Sequence, residues 1–131
     1  MLRLIALVPL LCLLATGCHS GHGRPVSSVT AVADTSGVQR VEVDMHSYYF
    51  EPNRIVVKAG RPVELVLRNR SLIVPHNLTI VDSVMSVSAG KWGPGSGHVR
   101  FTPQAPGEYE FFCHKKGHSK KGMKGTLVVE P

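Results

Sequence analysis

Residues 111–123 read FFCHKKGHSKKGM and bring a thiol, an imidazole and a thioether together within a short stretch. The three groups follow one another as C-x4-H-x4-M, from Cys113 through His118 to Met123. Thiolate and imidazole ligands suit several transition metals, whereas two imidazoles and one thiolate with a weak axial Met are typical of a blue-copper electron-transfer site. This interpretation requires one more His from elsewhere in the chain.

His76 is the best candidate for the second imidazole. It follows Pro75 at the start of a predicted strand, which gives its side chain a fixed direction. Taken alone, a His in this place is more often a surface or hydrogen-bonded residue than a ligand. Because the loop ligands need a fourth partner, we predict one mononuclear copper ion bound by His76, Cys113, His118 and Met123.

Two other metal assignments fit the sequence less well. Structural zinc sites prefer four Cys or His ligands, and Met is a poor ligand for zinc. A dinuclear CuA-type site would need a second Cys in the loop, and residues 111–123 contain only Cys113. His114 is not expected to join Cys113 on the metal, because neighbouring side chains on a strand point to opposite faces.

The length and charge of the chain limit its class. Its 131 residues have room for one domain, and 15 Lys and Arg against 9 Asp and Glu give a formal net charge of +6. The sequence has no recognition-helix pattern, stacking-aromatic motif or phosphate-binding loop, so we expect no nucleic-acid partner. A soluble domain whose partner has an acidic surface explains the positive charge better, and we expect the domain to be a monomer.

Residues 1–17 resemble a secretory leader. Positions 4–14 form an apolar run that is too short to span a bilayer, which needs about 20 residues. The sequence ATGC at residues 15–18 resembles a bacterial lipoprotein box, in which Cys18 would be lipidated and become the mature N-terminus. An ordinary signal-peptide cleavage site after small residues is the alternative, and either interpretation exports the protein.

Export sets the redox environment of the three Cys residues. Cys12 leaves with the leader and Cys18 is predicted to be acylated, so Cys113 has no disulfide partner and is better explained by a metal. The predicted location is the periplasmic side of a bacterial membrane, with the lipid as anchor, or otherwise the free periplasm. His19 stands in place of the Asp associated with inner-membrane retention, which favours the outer membrane.

The rest of the chain divides into a tether and one β domain. Residues 18–37 are rich in Gly, Ser and small side chains and are predicted to be a flexible tether. Residues 38–131 contain short strand-forming runs between Gly and Pro turns, which predicts an antiparallel sandwich or barrel, although residues 83–89 are compatible with a short helix. Strands are predicted at residues 41–45, 55–58, 63–68, 76–81, 99–101, 108–113 and 125–129.

These features together resemble the cupredoxins of the plastocyanin and azurin family. The resemblance is carried by YFEPNRIVVKAG at residues 49–60, PHN at residues 75–77 and the segment 113–127, and it covers about residues 38–131. It implies an all-β, cupredoxin-like fold, a Greek-key antiparallel β-sandwich with copper near one end. It further implies that Asn77 hydrogen-bonds across the ligand loops, and that His118 is the partly exposed edge through which electrons pass.

The ligand loop, residues 113–123, is similar to those of azurin and auracyanin in its wide Cys-to-His spacing, but it differs from the family in its charge. Family members often have Pro and apolar residues in this loop, and this chain has lysines. A solvated surface is the simple explanation of a Lys run. The position of the run around the expected electron port instead favours docking of an acidic partner by Lys115, Lys116, Lys120, Lys121 and Lys124.

The ligand set and the resemblance predict an exported type 1 copper protein that carries single electrons by Cu(II)/Cu(I) cycling. Its redox partners would be proteins such as a c-type cytochrome, an oxidase or a reductase. We expect no enzyme activity, because the sequence has no paired general acid and base. The alternative is a periplasmic copper chaperone or copper-resistance protein, for which spare imidazoles are available at His19, His22, His46, His98 and His114.

Overall fold

The computed structural model describes residues 24–83, 85–91 and 95–131, and within them ten strands form two sheets. A single turn of 3-10 helix, Ser119–Lys121, lies in the predicted ligand loop. The strands are β1 (Ser28–Thr30), β2 (Gln39–His46), β3 (Tyr49–Glu51), β4 (Arg54–Lys58), β5 (Val63–Asn69), β6 (His76–Val81), β7 (Ser86–Lys91), β8 (Gly95–Phe101), β9 (Gly107–Phe112) and β10 (Lys124–Glu130).

The alternation of apolar and polar residues builds the sandwich, as β2 illustrates. Val41, Val43 and Met45 are at most 4% exposed, while Arg40 before them and Glu42 between the two valines face solvent. Side chains on a strand alternate between its two faces, so this pattern gives the strand one buried face and one wet face. The inward residues of both sheets form one core, in which hydrophobic burial is the main favourable contribution to folding.

The prediction of an all-β sandwich is confirmed. One sheet has the order β1-β4-β10-β9-β6-β7 and the other has the order β3-β2-β5-β8. Both sheets are mixed, because β1 with β4, β4 with β10, and β2 with β5 are parallel pairs among otherwise antiparallel ones. The chain leaves one sheet after β3 and returns to it as β5, and such a crossover connection permits the parallel pairing of β2 with β5.

Two sequence-based expectations differ from the structure. In the segment that was compatible with a helix, residues 86–89 instead belong to β7, whose Ser86–Lys91 pairs antiparallel with β6. Within the predicted tether, Ser28–Thr30 forms β1 beside β4. Asn53 fixes this segment, because its Oδ1 accepts a hydrogen bond from the Ser27 backbone N–H at 2.9 Å. The predicted leader and Cys18 lie outside the described residues.

The strand ends gather the predicted ligands at one end of the sandwich. β6 begins at His76, β9 ends one residue before Cys113, and β10 begins one residue after Met123. β9 pairs antiparallel with both β6 and β10, so these three ends meet at the same edge. Within the described part of the chain, no helix has the length and apolar character needed to cross a bilayer.

Glu64 lies on the outer face of the four-stranded sheet, between two arginines on the neighbouring strands. Its side chain is 5% exposed, with Oε2 2.6 Å from Arg40 Nε and Oε1 2.9 Å from Arg100 Nε. His98 Nδ1 is 3.4 Å from the same Oε1. The hydrogen bond of Arg40, followed by that of Arg100, lowers the pKa of Glu64 from 4.5 to about 2, while burial opposes the shift.

The substitution Glu64→Gln is expected to reduce the acid sensitivity of folding. The lowered pKa means that the carboxylate contributes stability above pH 4.5 and loses that contribution as the pH falls towards about 2. Gln does not titrate, so the unfolding free energy of the variant should start lower at pH 7 and fall less steeply in this window. Urea titrations at several pH values measure the unfolding free energy of each variant. Glu108→Gln, which removes one exposed partner of Arg54, is the control, and equal slopes for wild type and Glu64→Gln would contradict the prediction.

Candidate metal centre

Three predicted ligands converge at the end of the sandwich where β6, β9 and β10 meet. His76, Cys113 and His118 each offer one ligand atom, and these atoms lie within 4.8 Å of one another. Cys113 Sγ and His118 Nδ1 are 3.4 Å apart. Cys113 is fully buried and His76 is 1% exposed, whereas His118 is only partly buried. The group is therefore closed on the core side and approachable through His118.

His76 is oriented by a hydrogen bond that the sequence did not reveal. Its Nε2 lies 3.0 Å from Ser71 Oγ, which in turn lies 3.3 Å from Ser47 Oγ. The other ring nitrogen, Nδ1, is the only buried side-chain nitrogen or oxygen of the described residues that has no hydrogen-bond partner. A buried polar atom without a partner is costly. The unpartnered Nδ1 therefore indicates a ligand position.

The electrostatic surroundings keep both imidazoles uncharged. Burial, followed by the nearby His118 and His46, lowers the pKa of His76 from 6.5 to about 4. Burial, followed by the positive charges of Lys121 and Lys115, also lowers the pKa of His118. Both rings are neutral near pH 7, so each keeps a nitrogen lone pair that can bind a metal cation.

Backbone hydrogen bonds hold Met123 beside the other loop ligands. The Cys113 N–H donates to the Met123 carbonyl at 3.1 Å, and the Met123 N–H donates to the His118 carbonyl at 3.2 Å. Gly122 has a φ of 94°, a left-handed conformation that a residue with a side chain rarely adopts, and it reverses the chain after the 3-10 turn. Met123 is fully buried.

Asn77 links the two segments that carry the ligands. Its Oδ1 accepts a hydrogen bond from the His114 backbone N–H at 3.0 Å, and its Nδ2 donates to Thr79 Oγ1 at 3.0 Å. His114 itself is exposed, with Nδ1 2.6 Å from Asn77 Nδ2, and it is not part of the ligand group. The sequence analysis expected His114 to point away from the metal, because it is the neighbour of Cys113 in an extended segment, and its position outside the ligand group agrees with this.

Tyr48 contacts both candidate histidine ligands and was missed by the sequence analysis. Its ring stands edge-on to His118 at a centroid distance of 5.0 Å and to His76 at 6.5 Å. It is the only residue other than Gly in the described chain with a positive φ, at 71°. Strained backbone of this kind clusters at functional sites. The one available signal was its position in the polar turn before residues 50–60.

The five lysines of the predicted docking surface lie on or next to the ligand loop. Lys115 is partly buried, and the other four are exposed. Lys121 places its Nζ 4.0 Å from the centre of the Tyr48 ring, and Lys124 pairs with Glu110 at 3.2 Å. An exposed apolar pair, Leu72 and Ile73, also lies near the site, between β5 and His76.

The donor set fits a copper ion. A buried thiol, two neutral imidazoles and a buried thioether combine soft and intermediate ligands, as mononuclear blue-copper sites do. No carboxylate of the described residues belongs to the group. Carboxylate oxygens are the ligands that harder cations such as calcium and magnesium prefer, so the group does not suit those cations. The unpartnered Nδ1 of His76 supplies the independent structural indication that a ligand belongs there.

Ser71→Ala is expected to weaken metal binding without unfolding the domain. The Ser71 hydroxyl fixes the tautomer and orientation of His76, and losing such an outer hydrogen bond to a metal-binding His costs about 10- to 100-fold in affinity. Competition with a chelator at pH 7 measures the affinity. Ser36→Ala, which removes a hydroxyl bound only to Asp34 in an exposed turn, is the control. Unchanged affinity in Ser71→Ala would contradict this role.

Comparison with known proteins gives one family. The family model described as a cupredoxin-like domain matches residues 6–129. Auracyanin-B of Chloroflexus aurantiacus is 53% identical over 36 residues, a match that covers 28% of this chain and only 15% of that protein.

Solved structures of auracyanins have the same fold. The dithionite-reduced auracyanin of Roseiflexus castenholzii superimposes with a TM-score of 0.65 at 22% identity, over 70% of this chain and 97% of that one. An auracyanin B structure gives a TM-score of 0.64 at 26% identity, over 80% of this chain and 97% of that one. The likeness thus extends over almost the whole of these neighbours.

Proposed function

The chain belongs to the cupredoxin-like family, and from this we propose that it is an exported type 1 copper protein that carries single electrons between redox partners. His76, Cys113 and His118, with Met123, form its copper site. The observation that carries the proposal is the pre-positioned, unpartnered Nδ1 of His76 within a closed ligand group. A site that is already arranged in the fold needs little movement when the charge on the metal changes.

Each residue of the site has a separate role in the proposed electron transfer. When bound, copper supplies a reversible one-electron couple between Cu(II) and Cu(I). Cys113 and His76 hold it from the core side, where their burial excludes water. Partly buried His118 lies between the site and solvent, so it is the ligand through which we propose that electrons enter and leave. Met123, which is fully buried, would add its thioether to the ligands that hold the ion.

The location and partners belong to the same proposal. We propose that residues 1–17 export the chain and that Cys18 anchors it by a lipid at the periplasmic side of a bacterial membrane. The partners we propose are redox proteins such as a c-type cytochrome, an oxidase or a reductase, with acidic surfaces. The exposed lysines of the ligand loop support this by charge. We propose that the protein acts as a monomer, without nucleic acid and without enzyme activity of its own.

Copper storage or transfer is the competing function, and the histidines bear on it. His46 lies 3.8 Å from Glu51, His98 lies 3.4 Å from Glu64, and His114 is bound to Asn77. Within the described residues, these spare imidazoles do not form a second ligand group. An exchangeable site would also need access to the thiol, and Cys113 is fully buried. These observations favour the electron carrier.

The visible absorption spectrum of the Cu(II)-loaded protein, before and after ascorbate, tests the proposal. An intense thiolate-to-copper band that bleaches on reduction and returns on reoxidation is expected, with copper retained throughout. Weak, broad absorption, or loss of copper on reduction, would contradict electron transfer and support copper handling. The measurement needs no knowledge of the partner.

A further inference from the structure

A groove of about 740 Å³ opens beside Tyr48, next to the metal centre. Its described lining includes three cationic side chains, Arg24, Lys121 and Lys124, together with Tyr48 and Tyr49, and it contains no carboxylate. Clefts of this size can enclose a small ligand or the side chains of a partner segment. The charge of the lining selects an anionic occupant.

Two of the three cations rest on aromatic rings. Arg24 Cζ lies 3.5 Å from the centre of the Tyr49 ring, and Lys121 Nζ lies 4.0 Å from the centre of the Tyr48 ring. A cation–π contact holds a cation in place without neutralising its charge. The N–H donors of Arg24 and Lys121 therefore remain available to carboxylate oxygens.

The rest of the described surface differs from this groove in its charge. Eight carboxylates of the described residues lie within ion-pair distance of a basic side chain, which is an Arg or Lys for seven of them and His46 for Glu51, and none of these eight lines the groove. On the sheet faces the charges therefore largely cancel, and the excess positive charge collects at the metal end. The eight are Asp34, Glu42, Asp44, Glu51, Glu64, Glu108, Glu110 and Glu130.

The wall of the groove that carries Arg24 is fixed in the folded protein. Asn53 Nδ2 donates to the Pro25 carbonyl at 3.1 Å, and the Ser27 N–H donates to Asn53 Oδ1 at 2.9 Å. These bonds hold the backbone next to Arg24 against the start of β4. A surface that is already ordered loses less entropy when a partner binds.

We propose that this groove receives an acidic segment of the redox partner, whose carboxylates pair with Arg24 and Lys121. The inference rests on the proposed electron-carrier function. Tyr48 forms one wall of the groove and its ring stands edge-on to His118 at 5.0 Å, so a segment bound there brings the partner up to this partly buried ligand. The docking site is thus the Tyr48 side of the metal end, and it adds Arg24 to the lysines of the loop.

A hexaglutamate peptide is the probe, with hexaglutamine as the uncharged comparison. Amide chemical shifts of the full chain, in the reduced and diamagnetic copper form, should change around Arg24, Tyr48, Tyr49 and Lys121 on addition of hexaglutamate at low salt.

Arg24→Glu and Lys121→Glu should each weaken binding about five- to tenfold, because each replaces an attraction by a repulsion. Raising the ionic strength from about 0.01 M to 0.1 M shortens the screening length from about 30 Å to 10 Å and should weaken binding further.

Lys116→Glu is the matched control, because it makes the same charge change in the same loop at a residue that does not line the groove. It should weaken binding less than Arg24→Glu does. An equal effect, shifts confined to residues 115–116, or no hexaglutamate binding would overturn the proposal. So would vesicles of phosphatidylglycerol that bind through Arg24 while the peptide does not, since the groove would then face a membrane. The absorption band of the same samples reports separately on the proposed copper function.

Discussion

Cys113→Ser is expected to abolish the intense visible absorption of the copper-loaded protein. The band arises from charge transfer between the thiolate and copper, and a serine hydroxyl is neither soft nor ionised at pH 7. Cys113 is the only thiol among the described residues and lies 3.4 Å from His118 Nδ1, so no other side chain there can replace it. The spectrum of the variant with one equivalent of Cu(II) measures the loss.

The same variant should lose much of the stability that copper confers. A ligand that binds only the folded state at about 1,000 times its dissociation constant contributes about 4 kcal/mol. For a domain of this size, that corresponds to a melting temperature lower by roughly 15–30 °C when binding fails. The apo forms of wild type and Cys113→Ser should differ far less.

Met123→Leu is the control variant, because it removes the thioether and leaves the Cys113 thiolate in place. Leu conserves the volume of this fully buried side chain and removes only the thioether, so the domain should fold and the band should persist with an altered reduction potential. A band that survives in Cys113→Ser, or disappears equally in Met123→Leu, would contradict the assigned roles. Copper and protein concentrations measured on each sample separate lost binding from lost colour.

The ligands could be predicted from the sequence because three of them are close together in the chain. Cys113, His118 and Met123 lie in one loop, and their chemical types leave few metals to choose from. His76 was harder, since it belongs to another strand, and it was indicated by the need for a second imidazole and by its position after Pro75. The sandwich followed from alternation such as that of residues 41–45, where every second side chain is buried.

The contacts around the ligands could not be predicted, because they depend on how distant segments pack. Ser71 approaches His76 only when the segment after β5 folds over β6, and Tyr48 reaches His118 only when the turn after β2 meets the ligand loop. The strand Ser28–Thr30 could not be predicted from the sequence for a similar reason. Its composition is that of a linker, and its parallel pairing with β4 supplies the order.

Gly125→Ala is expected to destabilise the domain by about 3 kcal/mol, at the upper end of typical overpacking costs. A Cβ at Gly125 would lie 2.2 Å from Phe111 Cζ and 2.6 Å from the Asn53 carbonyl oxygen. Phe111 is fully buried against Phe50, so its ring has no free space to enter. The Asn53 carbonyl accepts the Thr126 N–H at 2.8 Å, so moving it breaks a bond of the sheet.

Urea titration of the apo protein measures the unfolding free energy, and the absorption band of the loaded protein measures the effect on the site. The band should weaken or shift, because Phe111 precedes Cys113 by two positions and Gly125 follows Met123 by two. Gly97→Ala is the control, since a Cβ there would lie 3.4 Å from the Gly90 carbonyl oxygen, its nearest neighbour. Phe111→Leu combined with Gly125→Ala should be less destabilised than the sum of the two single changes, because the smaller side chain removes the ring from the clash. Strict additivity, or a Gly125→Ala protein as stable as wild type, would show that the contact with Phe111 does not limit this position.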